Sequence, residues 1–337
     1  MKDERVLLAH GAGGRKSVEL IHELFRRHFD NPALNAMGDS ALLSDGMRRL
    51  AFTTDAFVVD PLFFPGGDIG KLAICGTVND LAAVGARPVA LSASFILEEG
   101  LEMEVLDRVV VSMRETAQEV GVPIVAGDTK VVPRGSADGM FITTSGIGLL
   151  ADALQAPAPD RAAAGDIVLI NGTIADHGMA VMACREGISF SSEIQSDCCA
   201  LHDLALAILD AGPNTHCLRD PTRGGLAAVL NEIAAQSRIC IEIEEAAVPV
   251  NEDVRVACEL LGIDPLHVAN EGKLVVIVPP EEADAVLAAM RNHPKGQRSA
   301  RIGTVRPEPA GRVHLRTGLG ACRILDMPSG DLLPRIC

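Results

Sequence analysis

Strand-like and helix-like periodicities alternate along this chain in two rounds, parted by a proline-bearing stretch at 155–160. That order confines the fold to layered α/β architecture. In the first round, 50–54, 89–97, 124–126 and 139–149 read as strands, the third of them short and buried. Between them, Ile69, Leu72, Ala73, Gly76, Leu81 and Val84 mark a helix over 69–84, and 103–120 has the clearest amphipathic pattern of the chain. Gly85-Ala86-Arg87-Pro88 and Gly121-Val122-Pro123 supply the helix stops. The order is β-α-β-α-β-β, an α+β unit with helices on one face of a sheet. Upstream, 6–8 reads as a short strand, 10–15 as a glycine-rich loop and 18–28 as a helix face. The second round places strands at 167–170, 239–243, 274–278, 300–305 and 313–315, with helices near 179–184, 199–209, 226–233 and 281–290. The expected division is an N-terminal segment 1–37, a domain 38–154, a second α/β domain 155–317 and a tail 318–337.

The core of both units must be aliphatic: hydrophobic residues make up 48% of the 337, with no Trp or Tyr and nine Phe. A net charge of −15 without a basic stripe argues against a nucleic-acid surface. A polyphosphate substrate would need divalent metal between it and the acids. The nine cysteines are odd in number and contain no CxxC pair, so they suggest neither a disulfide framework nor zinc; most read as small buried hydrophobes. The apolar run after Met1-Lys2-Asp3-Glu4-Arg5 is too short for a signal peptide, and no run would span a bilayer. A reducing cytoplasm is the expected compartment.

Carboxylates recur at Gly- or Thr-marked element ends: Asp39, Asp55, Asp80, Asp128 and Asp220. One Gly-Asp pair is an ordinary turn or cap, but a set spread over several loops suits Mg²⁺ shared with nucleotide phosphates. Lys130 reads either as a counter-charge to a phosphoryl group or as a solvated strand-end lysine. Glu271, between Asn270 and Gly272, is a general base if desolvated or a turn-capping carboxylate. Asp220-Pro221-Thr222-Arg223-Gly224-Gly225 precedes a helix start, an anion-binding arrangement or plain N-capping by Thr222 or Asp220. The 10–15 loop is an entry loop or a phosphate contact. GGDIGKL at 66–72 is no Walker motif, since Pro65 stands at the first Gly and Leu72 follows Lys71. His10, His177, His216 and His267 lack metal spacing and read as structural or exposed.

The tail reads as a flexible arm. Gly318, Gly320, Pro328, Ser329, Gly330 and Pro334 interrupt any helix, and only apolar pairs such as Leu332-Leu333 remain. At roughly 3.3 Å per residue it could reach about 60 Å, carrying the thiol of Cys337 to several sites. Arg335 would favour the thiolate and the terminal carboxylate would oppose it.

GDSAL at 38–42, TTDAFVVDPLFFPGGDIGKLAICGTVNDLAAVGARP at 53–88, VAGDTKVV at 125–132, DPTRGGLA at 220–227, NEGKL at 270–274 and the terminal PRIC together resemble the HypE family, the carbamoyl dehydratases of [NiFe]-hydrogenase maturation. That family is similar to aminoimidazole ribonucleotide synthetase, selenophosphate synthetase and thiamine-monophosphate kinase, which lack the Cys-ended tail. The resemblance covers essentially the whole chain. It implies a two-domain aminoimidazole ribonucleotide synthetase-like fold, with N-terminal ATP-binding domains pairing in a homodimer whose strands form a central β-barrel. It implies ATP and Mg²⁺, with Asp39, Asp55, Asp80 and Asp220 as metal ligands and Asn79, Asp128 and Thr129 near the nucleotide. It further implies that the carbamoyltransferase HypF loads Cys337, that this S-carboxamide becomes a thiocyanate with Lys130 and Glu271 assisting, and that a HypC–HypD complex accepts the cyanide.

Two other readings fit the residues. An ATP-dependent small-molecule synthetase of the selenophosphate or aminoimidazole ribonucleotide type would explain the acids and leave Cys337 incidental. A scaffold carrying a group on its tail would need no ATP.

Overall fold

The structure, a computed structural model, describes residues 6–44, 46–188, 194–328, 330 and 333–337. Met1 to Arg5, Ser329 and Leu332 lie outside them. The first domain is a five-stranded sheet of β1 (Ala41–Ser44), β2 (Arg49–Phe57), β3 (Arg87–Glu98), β4 (Ile124–Val132) and β5 (Met140–Leu150), in the order β1-β2-β5-β3-β4. All neighbours are antiparallel except β3 and β4, which run parallel around a helical crossover.

That sheet is covered on one face by α1 (Ile69–Ala83) and α2 (Met103–Val120). Asp68 caps α1, accepting from the Gly70 and Lys71 amides at 2.7 and 3.1 Å and from Ser112 Oγ at 2.6 Å. Such a cap contributes about 1 kcal/mol, and it explains why GGDIGKL starts a helix rather than a phosphate loop. The sequence shows an apolar stripe on α1, yet nearly every residue of this helix is buried, because the second domain covers its remaining side. α2 buries only the stripe of Val109, Met113, Thr116 and Ala117 and ends on left-handed Gly121.

The second domain is a seven-stranded sheet of β6 (Ile167–Ile170), β7 (Cys217–Arg219), β8 (Cys240–Glu244), β9 (Val275–Val278), β10 (Ala300–Arg306), β11 (Arg312–Arg316) and β12 (Cys322–Ile324). Its order is β12-β11-β8-β10-β6-β9-β7. Strand alternation splits its core in two. Val168, Ile170, Val275 and Ile277 pack toward α5 (Gly225–Ser237), while Ile167, Leu169, Val276 and Val278 pack toward α4 (His202–Ala211) and α7 (Pro280–Asn292). Burial on both faces is why β6 and β9 read as unbroken aliphatic runs. Two further helices, α3 (Asp176–Glu186) and α6 (Glu252–Leu261), pack on each other beside the domain junction.

Several expectations change. Residues 6–8 are not a strand; a 3₁₀ turn runs Leu8–His10. The helix at 18–28 contains a π turn, Ile21–Phe25. The short buried strand expected at 124–126 is the nine-residue β4, an edge strand whose side chains are almost all exposed. The outer face of the same sheet exposes Phe52, Ile96 and Ile147. In the single chain this sheet is open and forms no closed barrel. The stretch 318–337 is not all arm: β12 pairs with β11, Leu325 is buried, and the last residues dock between the domains. No helix among the described residues is long and apolar enough to cross a membrane.

Candidate active site

A cavity of about 360 Å³ opens where the two domains meet, and four of the acids line it. Asp39 arrives from the loop before β1, Asp55 from β2, Asp80 from α1 and Asp220 from the end of β7. Asp80 Oδ2 accepts from Thr53 Oγ1 at 2.6 Å, and Asp39 Oδ1 pairs with Arg219 Nε at 2.8 Å. Arg219 also holds Glu232 at 2.8 Å.

Burial raises the proton affinity of all four acids, and repulsion between carboxylates adds to it for Asp39, Asp55 and Asp80. Asp39 and Asp80 stand well above the usual carboxylate range, chiefly through burial and, for Asp80, the charges of Asp55, Asp220 and Asp39. Asp55 is raised from 3.8 to about 6 by burial and then by Asp220, with Arg223 opposing. Asp220 is raised by burial against the pull of Arg219 and of the Thr222 hydroxyl, which donates to it at 3.0 Å. Asp39 Oδ2 is buried with no hydrogen-bond partner. Arg219 and Arg223 offset only part of the negative charge of this cluster, and a divalent cation would supply the rest. No three His, Cys, Asp or Glu side chains among the described residues stand ready to close on one ion. The acids therefore suit a cation completed by phosphate oxygens and water rather than an all-protein cage.

The DPTRGG stretch turns on two left-handed glycines, Gly224 at φ 75° and Gly225 at φ 63°. A Cβ on Gly225 would stand 2.6 Å from the Val268 carbonyl. Gly224 caps α5 with no side-chain bond, so neither Thr222 nor Asp220 serves as the cap. Both are left facing the cavity.

Glu271 enters from the loop before β9. Its Oε1 is buried without a partner, and burial pushes its carboxyl well above the usual range. The loop is clamped from all sides. Asn79 Nδ2 donates to the carbonyls of Cys199 and Glu271 at 3.0 and 3.2 Å, and its Oδ1 accepts from the Leu201 amide at 2.7 Å. Asn79 thus holds the Glu271 loop and does not itself line the cavity. Asp197 Oδ1 accepts from the Glu271 amide at 3.1 Å, and Lys273 pairs with Asp197 at 2.8 Å. A Cβ on Gly272 would fall 1.9 Å from the Asp197 carbonyl, so only glycine fits there.

Cys337 lines the same cavity as Asp55, Asp80, Asp220 and Glu271. Its thiol is pushed up to about 12 by burial, with Arg223 opposing and Glu271 and Asp55 adding to the rise. The neutral thiol is the docked species. Contrary to the sequence expectation, Arg335 does not attend it; its guanidinium turns to Asp138 and Asp60 while Nε donates to the Val58 carbonyl at 2.9 Å. The cation near the sulfur is Arg223, whose Nη1 also donates to Gly11 O at 3.2 Å. The glycine-rich loop therefore packs over the cavity through Arg223.

Asp128, Thr129 and Lys130 are elsewhere. They sit on edge strand β4, where Lys130 Nζ pairs with Asp128 at 2.8 Å and both are mostly exposed. Within one chain they do not line the acidic cavity.

Residues 37–150 match the N-terminal domain of the AIR synthase related protein family, and residues 163–316 match its C-terminal domain. "Carbamoyl dehydratase HypE" of Rhizobium leguminosarum bv. viciae is 52% identical over 334 residues, covering 99% of this chain and 95% of its own. The chain belongs to the HypE family of carbamoyl dehydratases. Within this family, a crystal structure described as hydrogenase maturation protein HypE in complex with ATP is 52% identical and superposes with a TM-score of 0.83, over 99% of this chain and 100% of that one. A HypE-HypF complex is 50% identical with a TM-score of 0.87, over 92% and 99%.

Sequence reasoning missed Arg223 as the partner of the sulfur, and it missed His177 and Arg185. The position of Arg223 inside DPTRGG was a usable signal. His177 and Arg185 carried none, because their partners are main-chain atoms more than 100 residues away.

Proposed function

We propose that this protein is an ATP-dependent carbamoyl dehydratase that converts an S-carboxamide on its own Cys337 to a thiocyanate. It would thereby supply cyanide ligands for hydrogenase iron. The observation that carries this reading is the docked tail: the terminal sulfur lies in the acidic cavity with Glu271 and Arg223. A small-molecule synthetase would leave that docking without a purpose.

ATP supplies the phosphoryl group that turns the amide oxygen into a leaving group. Asp39, Asp55, Asp80 and Asp220 would hold Mg²⁺, whose charge neutralises the polyphosphate. An apolar cavity of about 490 Å³, lined by Val18, Ile21, Phe25, Leu34 and Met37, adjoins the acids through Arg219 and Glu232 and offers room for the nucleoside. Glu271 takes the N–H proton as the C≡N bond forms; burial raises its proton affinity well above that of an ordinary carboxylate, the direction that makes it a stronger base. Arg223 stabilises charge developing beside the sulfur. Closure of the cleft around the docked tail would keep water from the activated group.

HypF would load Cys337, and a HypC–HypD complex would accept the cyanide. Nine free thiols suit a cytoplasmic site of action. A homodimer would cover Phe52, Ile96, Ile147 and the β4 edge, closing a barrel and bringing Asp128, Thr129 and Lys130 into a shared interface. Lys130 would then assist phosphoryl transfer from that edge.

Intact mass tests the central claim. After incubation with the carbamoyltransferase, carbamoyl phosphate and ATP, Cys337 should carry a carbamoyl group, then lose one water on Mg-ATP turnover. ATP hydrolysis without an adduct at Cys337 would refute it.

A further inference from the structure

The last four backbone carbonyls of the chain each accept a hydrogen bond from outside the tail. Arg185, in the last turn of α3, donates Nη1 to Pro334 O at 2.7 Å and Nη2 to Arg335 O at 2.6 Å. His177, in the first turn of the same helix, donates Nε2 to Ile336 O at 2.9 Å. The Val58 amide donates to Cys337 O at 3.0 Å. Arg185 also reaches the Asp60 carbonyl, from Nε at 2.8 Å and Nη2 at 2.5 Å. One guanidinium thus ties the segment after β2 to the tail lying beside it. We propose that Arg185 and His177 form a latch that reads the main chain of Pro334, Arg335 and Ile336 and fixes the register in which Cys337 meets Glu271. As a step in dehydration, this role rests on the reading of Cys337 given above; as a docking device it stands alone.

The geometry explains why these two side chains are suited to the task. A planar guanidinium presents parallel donors in a fixed fork, so one Arg185 can serve two successive carbonyls with charge-assisted bonds. His177 must carry its proton on Nε2 to donate to Ile336. A local chain enforces that tautomer: the Cys198 amide donates to Ser196 Oγ at 3.0 Å, which leaves the Ser196 hydroxyl proton free for His177 Nδ1 at 2.8 Å. Burial lowers the proton affinity of His177 and keeps it neutral. Asp197, between Ser196 and Cys198, accepts the Glu271 amide. One short loop therefore sets both the tail register and the position of the base.

Because the latch touches main chain only, it is indifferent to what the sulfur carries. The same register serves thiol, S-carboxamide and thiocyanate, while buried Ile336 supplies apolar anchorage. Both donors belong to α3, so a displacement of that helix would release Pro334 to Ile336 together.

The test compares the full chain with Arg185→Ala, Arg185→Lys and His177→Leu. Iodoacetamide alkylation of Cys337, located on the C-terminal peptide by mass spectrometry, reports docking without any catalytic step. The docked thiol is neutral and slow to react. Losing charge-assisted bonds should speed Cys337 alkylation at least about tenfold in Arg185→Ala, with exposed Cys322 unchanged as the internal control. Arg185→Lys should fall between, having charge without a fork, and His177→Leu should also react faster than the wild type. On carbamoyl-loaded protein, Arg185→Ala should slow single-turnover water loss at saturating ATP at least about tenfold, with half-saturation by ATP unchanged. Alkylation of Cys337 within about twofold of wild type in both Arg185→Ala and His177→Leu would overturn the latch. Wild-type protein that is loaded but loses no water would refute the dehydratase reading instead, and alkylation would still decide the latch.

Discussion

Asp55→Asn should stabilise the metal-free protein at neutral pH while removing its response to Mg²⁺. In the fold, burial and then Asp220 raise the Asp55 carboxyl from 3.8 to about 6. The folded state therefore binds this proton more tightly than the unfolded chain. Its contribution is fully present below pH 3.8 and is lost as pH rises through about 6. At about 1.36 kcal/mol per pH unit, the loss is about 3 kcal/mol by about pH 7.5 and roughly half that at about pH 5. Asp39, Asp80 and Asp220 shift the same way, so metal-free protein should weaken steadily across this range. An amide is close in shape, carries no charge and can keep the hydrogen bond to Asp80. At roughly 2.1 cal/mol/K per residue, unfolding 337 residues has an entropy of about 0.7 kcal/mol/K. The variant should thus melt about 4 °C above wild type at about pH 7.5 in chelator, and about 2 °C above it at about pH 5, by scanning calorimetry. Added Mg²⁺ should stabilise wild type more at the higher pH and leave the variant nearly unmoved. A variant that melts lower in chelator at neutral pH, or keeps the full Mg²⁺ shift, would refute the idea of a repulsive acid cluster awaiting a cation.

Glu271→Gln should retain ATP binding and Cys337 loading but slow dehydration about 10²- to 10⁴-fold, the usual contribution of a positioned base; single-turnover mass spectrometry would read it, and a rate within a factor of ten of wild type would remove Glu271 from that role. Cys337→Ala should bind nucleotide normally by calorimetry yet never gain a carbamoyl or cyanide mass; an adduct on that variant would sink the tail hypothesis. Ile147→Glu, on the exposed sheet face, should shift a homodimer to monomer in sedimentation without lowering monomer stability by more than about 0.5 kcal/mol, as befits an exposed position. An unchanged sedimentation coefficient would place the dimer contact elsewhere.

Most of the local architecture was legible because it depends on local periodicity. The α2 stripe, the aliphatic runs of β6 and β9, and the Gly121 stop each follow from neighbours in sequence. The acids were legible as a set, since Asp39, Asp55, Asp80 and Asp220 all stand in Gly- or Thr-marked motifs and the structure brings them to one cavity. Strand β4 was not. Its aliphatic residues look the same in sequence whether a neighbour covers them or not, and here they form an open edge that exposes Asp128 and Lys130. The contacts of Asn79 were not legible for a related reason: an amide in an acid-rich motif can face a ligand or a loop, and only folding brings Cys199, Leu201 and Glu271 to it.

By itself the sequence determined that this is a two-domain α/β chain with an aliphatic core, a dispersed set of carboxylates and a terminal thiol. Those properties are written in composition, period and spacing. The tertiary structure decided where the thiol rests and what surrounds it. It set Arg223 beside the sulfur, turned Arg335 away, and bound Pro334, Arg335 and Ile336 to Arg185 and His177. Those contacts run between main-chain carbonyls and side chains that lie far apart in the chain. A carbonyl is common to every residue, so its partner leaves no mark in the sequence until folding brings the two together.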